Sequence, residues 1–328
     1  MTPLRRPSTD SQRGAALLAA MLTVTLVATL AASALWQQWR DVEIETSERA
    51  RVQAAWMLGG ALDWSRLILR EDVRAVAANT VQSDNLSEPW AVPLQEARLS
   101  SFLAADQNNT GDGSDDDDVF LSGTISDAQA LFNLRNLVDA KNVVDEAWLT
   151  SLLQLFSQLN LPEQQARLIA RGLASALVGD SGDAPLMPER LQELSWLGVS
   201  PATIEALKPY ATILPERNTA INLNTAPAPV LAAVLGTSLS VAQRLVTART
   251  NAPFKSTAEA QKAAGAELVM TPDQVATITR YFEVRGRLRL QQAVVEEHSL
   301  VQRNSTVLNI VWRERAALGL QNLPAVAR

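Results

Sequence analysis

The feature that most constrains this chain is an apolar run near its N-terminus, Ala15 to Trp36, which holds 22 residues without a charged side chain. At about 1.5 Å of rise per residue, a helix of that length measures about 33 Å. The hydrocarbon core of a bilayer is about 30 Å thick, so the run is long enough to span it. The sequence therefore predicts a single transmembrane helix.

The charges that flank the run predict its orientation. Arg5, Arg6 and Arg13 precede it, whereas the residues after it become acidic from Asp41 onward. The positive-inside rule then keeps the short N-terminus in the cytoplasm and places the bulk of the chain across the membrane. The alternative is a removable secretory signal, because the A-S-A sequence at 32–34 fits an A-x-A cleavage site. The run exceeds the usual apolar region of such signals, and helix-compatible sequence continues beyond it, which favours an anchor.

Composition excludes several classes of function. The chain has no cysteine and one histidine, so disulfides, thiolate nucleophiles and metal sites built from several histidines are excluded. Gly-rich phosphate loops, nucleophile elbows and the H-E-x-x-H motif are absent from the sequence. The net charge of −6 argues against a general nucleic-acid surface. The lone histidine, His298, lies in an alternating run, which predicts a half-exposed strand position. Common catalytic motifs are therefore largely missing from the sequence, and a membrane-anchored enzyme of another kind stays an alternative.

Beyond the membrane segment, helical spacing of apolar residues continues to about Asn79, as in an amphipathic stem helix. A connector then runs to Pro93, and two strands are predicted at 98–103 and 119–126.

Helices are predicted to dominate the middle of the chain, from Val138 to about Arg280. Many of them begin with Ser, Thr or Pro, as helix N-termini do. After Tyr281 the apolar residues alternate with period two, which predicts an antiparallel meander. The predicted helices are 146–158, 162–177, 188–196, 201–207, 228–235, 240–250, 256–264 and 271–281; the predicted strands are 282–291, 293–302 and 306–313.

An acidic loop between the first two predicted strands has the composition of a calcium site. From residue 106 to residue 127 seven aspartates occur without a lysine or arginine. The spacing matches most of the EF-hand loop, with glycine at the sixth position and Asp replacing the final Glu, and hard oxygen ligands suit Ca²⁺. A solvated acidic hairpin tip is the alternative, because the flanks are predicted strands. The predicted ligands are Asp106, Asn108, Thr110, Asp112 and Asp117.

The residues just before the apolar run resemble a known processing signal. A short basic leader ends at Gly14, and the apolar helix starts at once with Ala15, as in the prepilin signals of type IV pilins and pseudopilins. The resemblance implies cleavage between Gly14 and Ala15 by a prepilin peptidase, N-methylation of Ala15, loss of leader 1–14 and retention of transmembrane helix 15–36. Most members carry Glu at the fifth mature position, where this chain has Ala19. That departure is typical of the minor pseudopilin K family of type II secretion.

Two internal segments extend the resemblance. Residues 125–137, I-S-D-A-Q-A-L-F-N-L-R-N-L, are similar to the family's Asp-x-x-x-x-Phe-Asn-Leu-Asn-x-Leu segment. Residues 215–226 are similar to its Leu-Pro…Ile-Asn-x-Asn-Thr-Ala pattern. We expect Asp127 and Asn133 to cap turns through bonds from backbone N–H groups, a structural rather than catalytic role.

The resemblance implies an α+β, pilin-like fold, in which a long N-terminal transmembrane and stem helix carries an antiparallel sheet with a large inserted α-helical domain. The expected parts are the stem and first strands at 37–137, the insertion at 138–281, and the last strands and tail at 282–328.

The function that the resemblance implies is that of a non-enzymatic minor pseudopilin. It would sit at the tip of a periplasmic pseudopilus and initiate or cap its assembly, for export of folded proteins across the outer membrane. The implied partners are minor pseudopilins I and J, other pseudopilins, the prepilin peptidase and the inner-membrane platform. The implied location is the inner membrane of a Gram-negative bacterium, single-pass, with the N-terminus cytoplasmic and the bulk periplasmic.

Residues 218–270 also resemble a helix-hairpin-helix module, so a membrane-anchored DNA-binding protein is the alternative function. Such modules bind phosphate through a Gly-x-Gly hairpin at a helix N-terminus. Here the L-G-T-S sequence at 235–238 supplies one glycine, and an acidic chain lacks the cationic surface that phosphate affinity requires. These differences favour the secretion subunit, with no nucleic-acid partner.

Overall fold

The computed structural model describes residues 10–76, 82–99, 119–178, 184–265, 268–290 and 293–318. Its elements are, in chain order, α1 Asp10–Val76, β1 Leu94–Arg98, β2 Val119–Asp127, β3 Phe132–Asn133, α2 Glu146–Gln158, α3 Glu163–Val178, α4 Pro201–Leu207, β4 Ala211–Thr212, β5 Ile221–Asn222, α5 Ala228–Val234, α6 Leu239–Asn251, α7 Thr257–Ala264, β6 Val275–Ala276, β7 Tyr281–Leu290, β8 Ala293–Asn304 and β9 Val307–Leu318. Short 3₁₀ helices lie at Pro89–Ala91, Ala128–Ala130, Leu134–Leu137 and Leu191–Leu197.

Helix α1 joins the predicted membrane segment and the predicted stem without a break. Within the described ranges, it is the one helix long and apolar enough to cross a membrane. Its side chains are exposed from residue 14 to residue 49, and beyond that point one face becomes buried, with Leu58, Leu62 and Leu69 almost fully covered. The prediction of an amphipathic stem that follows the apolar run is confirmed.

The buried face of α1 packs on a five-stranded sheet of order β1-β2-β7-β8-β9, in which every neighbouring pair is antiparallel. Alternate residues of the strands point toward the helix, among them Leu121, Val284 and Leu288, because side chains on a strand have a period of two. Strands β2 and β7 are neighbours although more than 150 residues separate them, so the helical block between them is an insertion into the sheet. The α+β, pilin-like fold class is confirmed.

A glycine on β7, Gly286, allows α1 to lie close to the sheet. Gly123 of β2 is paired with Gly286 of β7. A Cβ atom added to Gly286 would lie 2.9 Å from Cδ1 of Leu58 and 3.4 Å from Cδ2 of Leu62. The sheet therefore meets the helix through bare backbone at this point.

The inserted block has a hydrophobic core of its own. Helices α2, α3, α5 and α6 contribute many of its apolar side chains, with Leu152, Phe156, Ile169 and Leu231 fully buried. A separate cluster joins α1 to the sheet.

Three predicted elements differ from the structure. Strand β1 is Leu94–Arg98 and begins four residues before the predicted strand 98–103, because pairing with β2 begins at Leu94, directly after Pro93; residues 100–103 lie outside the described residues. The segment 188–196 forms a 3₁₀ helix at Leu191–Leu197 rather than an α-helix.

The predicted helix 271–281 is wrong. A turn at Thr271–Gln274 leads into β6, which pairs in parallel with β5, and β7 starts at Tyr281. The backbone groups of this segment are thus satisfied by a partner 54 residues earlier in the chain, and long-range pairing overrides the local pattern.

The predicted C-terminal meander is confirmed. Strands β8 and β9 are joined by a tight turn in which Ser305 has φ +55°. His298 lies half-exposed on β8, as predicted, with Nε2 3.2 Å from Oε2 of Glu283 and its ring edge-on to Trp312.

Candidate functional site

The predicted processing site lies on the exposed N-terminal part of α1. Apart from its chain neighbours and the backbone of the same helical turns, none of the described residues has an atom within 4 Å of a Cβ built on Gly14, and the side chain of Ala15 is exposed. These residues therefore leave space for a peptidase at the junction. Cleavage and methylation at this position stay predictions.

The predicted calcium ligands lie outside the described residues. Asp106, Asn108, Thr110, Asp112 and Asp117 all fall in the range 100–118. The calcium site stays a prediction.

The two segments that carry the family resemblance meet in the interior, next to the point where β2 leaves the sheet. Asp127 ends β2, and its Oδ2 accepts hydrogen bonds from Asn222 Nδ2 at 2.8 Å and Thr225 Oγ1 at 2.6 Å. Its Oδ1 accepts from the backbone N–H of Gln129 at 2.7 Å. The predicted capping role of Asp127 is confirmed, and the same carboxyl also ties the sheet to the inserted block.

Asn133 makes the second connection between these segments. Its Oδ1 accepts from the backbone N–H groups of Arg135 at 3.1 Å and Leu214 at 3.0 Å. Its Nδ2 donates to the carbonyl oxygen of Glu216 at 2.8 Å and to Thr219 Oγ1 at 2.7 Å. The predicted cap is confirmed, and four groups in the fold depend on one amide side chain.

A buried arginine fixes the turn after β5. Arg249 of α6 donates through Nη1 to the carbonyl oxygens of Leu223 and Ala226, both at 2.7 Å, and through Nη2 to that of Thr225 at 3.3 Å. Burial lowers the pKa of Arg249 to about 10, and the charge of Asp127 acts in the opposite direction.

A third polar cluster lies where the distal end of α1 meets the head, by which we mean the five-stranded sheet together with the inserted block. We call it the carboxylate joint and define it as Asp72, Asp84, Glu88 and Arg303. Arg303 Nη1 is 2.9 Å from Asp72 Oδ2, and Nη2 is 2.5 Å from Asp84 Oδ1. Asp84 Oδ2 accepts from the backbone N–H of Thr279 at 2.6 Å, so the joint links the stem, the connector, β8 and the segment before β7.

Burial raises the pKa values of Asp72, Glu88 and Asp127. Desolvation is the largest cause for Asp72, whose pKa is raised although Arg303 opposes the shift. It raises the pKa of Glu88 to about 7, with smaller contributions from the charges of Asp72 and Asp84. It also raises the pKa of Asp127, which hydrogen bonds from Thr225 and Asn222 partly offset.

The sequence did not reveal the carboxylate joint. Asp84 and Glu88 stand in a segment that the pattern indicates only as a connector, and Arg303 stands where it predicts a turn. Their proximity depends on contacts across up to 231 residues of chain, as in the ion pair of Arg303 with Asp72. Such contacts can be predicted only if the pairing register of the strands is known, and the local periodicity of the sequence does not give that register.

The helix-hairpin-helix resemblance is limited in the structure. Gly236, with φ +59°, forms the turn between α5 and α6, and Ser238 caps α6 by accepting from the N–H of Val241 at 3.4 Å. Of the two arginines on α6, Arg249 is turned into the core and Arg244 is exposed. The hairpin therefore presents little cationic surface for phosphate.

The arginine stripe on β7 is matched by acids. Arg285 lies 3.2 Å from Glu283, Arg287 3.6 Å from Glu296, and Arg289 3.1 Å from Glu96. The stripe is a solvated, charge-paired sheet face.

Comparison with known proteins gives consistent matches along the chain. Residues 130–216 and 221–278 match two family models, both described as type II secretion system (T2SS), protein K. Type II secretion system protein K of Pseudomonas aeruginosa is 27% identical over 307 residues, which cover 85% of this chain and 85% of that protein. Its counterpart in Klebsiella pneumoniae is 26% identical over 339 residues, which cover 92% and 96%.

Solved structures give the same fold. A chain of the GspK-GspI-GspJ complex from the enterotoxigenic Escherichia coli type 2 secretion system aligns with a TM-score of 0.57 at 17% identity. The alignment covers 82% of this chain and 98% of that chain.

Proposed function

We propose that this chain, which belongs to the type II secretion system protein K family, is a non-enzymatic minor pseudopilin at the tip of a periplasmic pseudopilus, where it initiates or caps filament assembly. The filament would serve the export of folded proteins across the outer membrane.

The observation that carries this proposal is the continuity of α1. A single helix runs from the exposed apolar segment into the hydrophobic contact with the sheet. A membrane segment built in this way is rigidly connected to the head, which suits a filament subunit whose N-terminal helix must transmit force. Cleavage after residue 34 would remove most of the exposed part.

The anchored state follows from the same helix. Residues 15–36 would hold the subunit in the inner membrane of a Gram-negative cell, with the N-terminus cytoplasmic and the head periplasmic, and would later pack among other pseudopilins. A prepilin peptidase would act on the cytoplasmic side before the inner-membrane platform takes up the mature chain.

The inserted helical block supports a position at the tip. Its last residues reach α1 indirectly, because Arg303 of β8 pairs with Asp72 near the distal end of α1 and also donates to the carbonyl oxygen of Thr279. A block of this size above the stem would occupy the space in which a further subunit would stack. Minor pseudopilins I and J are the proposed partners, because the relative of similar fold is named as part of a complex with GspI and GspJ.

Mass spectrometry of the N-terminus tests the proposal most directly. We expect the mature chain to begin with methylated Ala15. We expect replacement of Gly14 by leucine to leave the leader in place and to prevent export of the folded proteins that the system secretes. Gly60→Leu is the matched control, because Gly60 lies on the exposed side of the same helix with open space around it. An N-terminus near Leu35, or unchanged processing of the Gly14 variant, would contradict the filament function.

We also propose that the acidic loop binds Ca²⁺ through Asp106, Asn108, Thr110, Asp112 and Asp117. The support is the spacing of oxygen-bearing side chains in the sequence.

A further inference from the structure

The carboxylate joint places several acidic side chains close together where the stem helix meets the head. Asp72, Asp84 and Glu88 each offer one carboxylate oxygen within 4.8 Å of the other two. These residues come from the last turns of α1, the connector and the residue that precedes the first 3₁₀ helix. Among the described residues, one guanidinium, that of Arg303, forms ion pairs with acids of this cluster.

Arg303 forms ion pairs with two of the three acids. Its side chain is 3% exposed, it pairs with Asp72 and Asp84, and it also donates to the carbonyl oxygen of Thr279 at 2.9 Å. Its guanidinium stacks over the ring of Phe282 at 4.7 Å. The buried arginine therefore pairs with two carboxylates, and none of the ion pairs among the described residues joins it to Glu88.

Glu88 is bound by neutral donors. Its Oε1 accepts from Asn85 Nδ2 at 3.0 Å, and its Oε2 accepts from Trp90 Nε1 at 2.5 Å and from the Asn85 N–H at 3.3 Å. Neutral donors orient a carboxylate, but they do not cancel its charge. The nearby charges of Asp72 and Asp84 act against ionisation of Glu88.

We propose that the carboxylate joint is a proton-dependent latch: with Glu88 protonated it holds the distal end of the stem helix to β8 and to the segment that precedes β7, and loss of that proton loosens the connection. The geometry supplies the reason. Protonation leaves two acids for one arginine, and it gives Glu88 a hydroxyl that has carboxylate oxygens within 4.8 Å. Ionisation adds a third negative charge at the same place.

The electrostatics give the direction of the effect. Burial raises the pKa of Glu88 from 4.5 to about 7, and raises that of Asp72 as well. A carboxyl whose pKa is raised by folding contributes stability that is fully present below the unfolded value and is lost as pH rises through the folded value. The latch is therefore closed at about pH 5 and opens progressively through pH 7.

The charged groups that surround Glu88 in the described residues agree on this direction. Asp72 faces it from α1, and Asp84 faces it from the connector. Asp127 lies beyond Asp84 at the end of β2, and the pKa of Asp127 is itself raised by burial and by the charge of Asp84. Arg303 of β8 is the basic residue of the joint. The inference rests on this cluster and does not require membership of a filament.

Trp90 provides a local reporter, since its indole N–H donates to Glu88. The full chain, labelled with ¹⁵N at the tryptophan indoles and held in detergent micelles, is titrated from pH 5 to 9 by NMR, and the Trp90 signal is assigned from its loss in Trp90→Phe. We expect this signal to titrate with a midpoint near 7, and Glu88→Gln to abolish the transition. Glu96→Gln, on exposed β1, is the matched control and leaves it unchanged.

Hydrogen exchange measures the opening itself. The Thr279 amide donates to Asp84, and we expect its protection factor, corrected for intrinsic rates, to fall by about tenfold between pH 5.5 and 8.5, the equivalent of one pKa unit. In Glu88→Gln protection should stay high at both values. A Trp90 signal without a transition between pH 5.5 and 8.5, or equal protection at the two values in the wild type, would overturn the latch. If Glu88→Gln does not fold, the pH dependence of the Trp90 signal and of Thr279 protection in the wild type still tests the latch.

Discussion

Arg249→Met tests whether one buried cation organises the turn that carries the family signature. The guanidinium donates to three backbone carbonyl oxygens, those of Leu223, Thr225 and Ala226, from a side chain that is 9% exposed. Methionine has a similar length and fills much of the same space, but it donates no hydrogen bond. The substitution therefore removes the donors while it leaves packing nearly unchanged.

The expected cost follows from two opposing contributions. A hydrogen bond from a charged donor contributes about 1.5–3 kcal/mol, so three bonds would suggest several kcal/mol. The loss is reduced because methionine avoids the desolvation of a buried guanidinium, which is the cause of the lowered pKa of Arg249. We expect a net loss of about 3 kcal/mol in the free energy of unfolding of the inserted block, which for a unit of its size lowers the melting temperature by about 6–12 °C.

Thermal unfolding of the purified chain in detergent, followed by near-ultraviolet circular dichroism, measures this change. Arg244→Met is the matched control, because Arg244 lies on the same helix, is exposed, and donates one bond at 3.3 Å to Ala264. It should shift the melting temperature by no more than about 2 °C, as exposed substitutions usually do. Equal shifts for the two variants would refute the argument that the buried guanidinium stabilises the turn.

Two further predictions use the glycines and the acidic loop. Gly286→Ala should destabilise the contact of α1 with the sheet by about 1–3 kcal/mol, because the new Cβ would lie 2.9 Å from Leu58. Gly60→Ala has open space around it and should stabilise the helix by about 1 kcal/mol. Opposite shifts in melting temperature confirm both predictions, and shifts of equal sign contradict them. Isothermal titration with Ca²⁺ should give a binding heat for the wild type that Asp106→Ala abolishes, and the absence of heat in the wild type would exclude the loop site.

Local signals were sufficient for most of the inserted helices. Helix α2 occupies the predicted range 146–158, and Asp145 caps it by accepting from the N–H groups of Ala147 and Trp148 at 2.9 and 3.1 Å. Helix α4 occupies its predicted range as well, with Ser200 as the cap and Pro201 at the first position. These boundaries depend on neighbours in sequence, so the sequence contains the whole signal.

The errors fall where the partner is distant in sequence. The segment 271–281 has an apolar pattern that satisfies a helix, but its backbone pairs with β5. Likewise β1 begins earlier than predicted because Leu94 pairs with Gly123 across the acidic loop. Strand register decides both cases, and register is a property of the folded sheet.

The buried position of the recognisable motifs limits what they reveal about function. Asn133, Asn222 and Asn224 are at most 2% exposed, and their amides are bonded to backbone groups and side chains of the same chain. A partner protein cannot reach them, so the motifs specify how the block folds into the sheet and not what it contacts. If the chain assembles as proposed, its contacts with other subunits use exposed surface, such as the side of α1 that faces away from the sheet, where Trp56 is 79% exposed. Substitutions in the motifs should impair assembly only in proportion to the stability that they remove, whereas those at Trp56 should be able to impair it without changing the melting temperature.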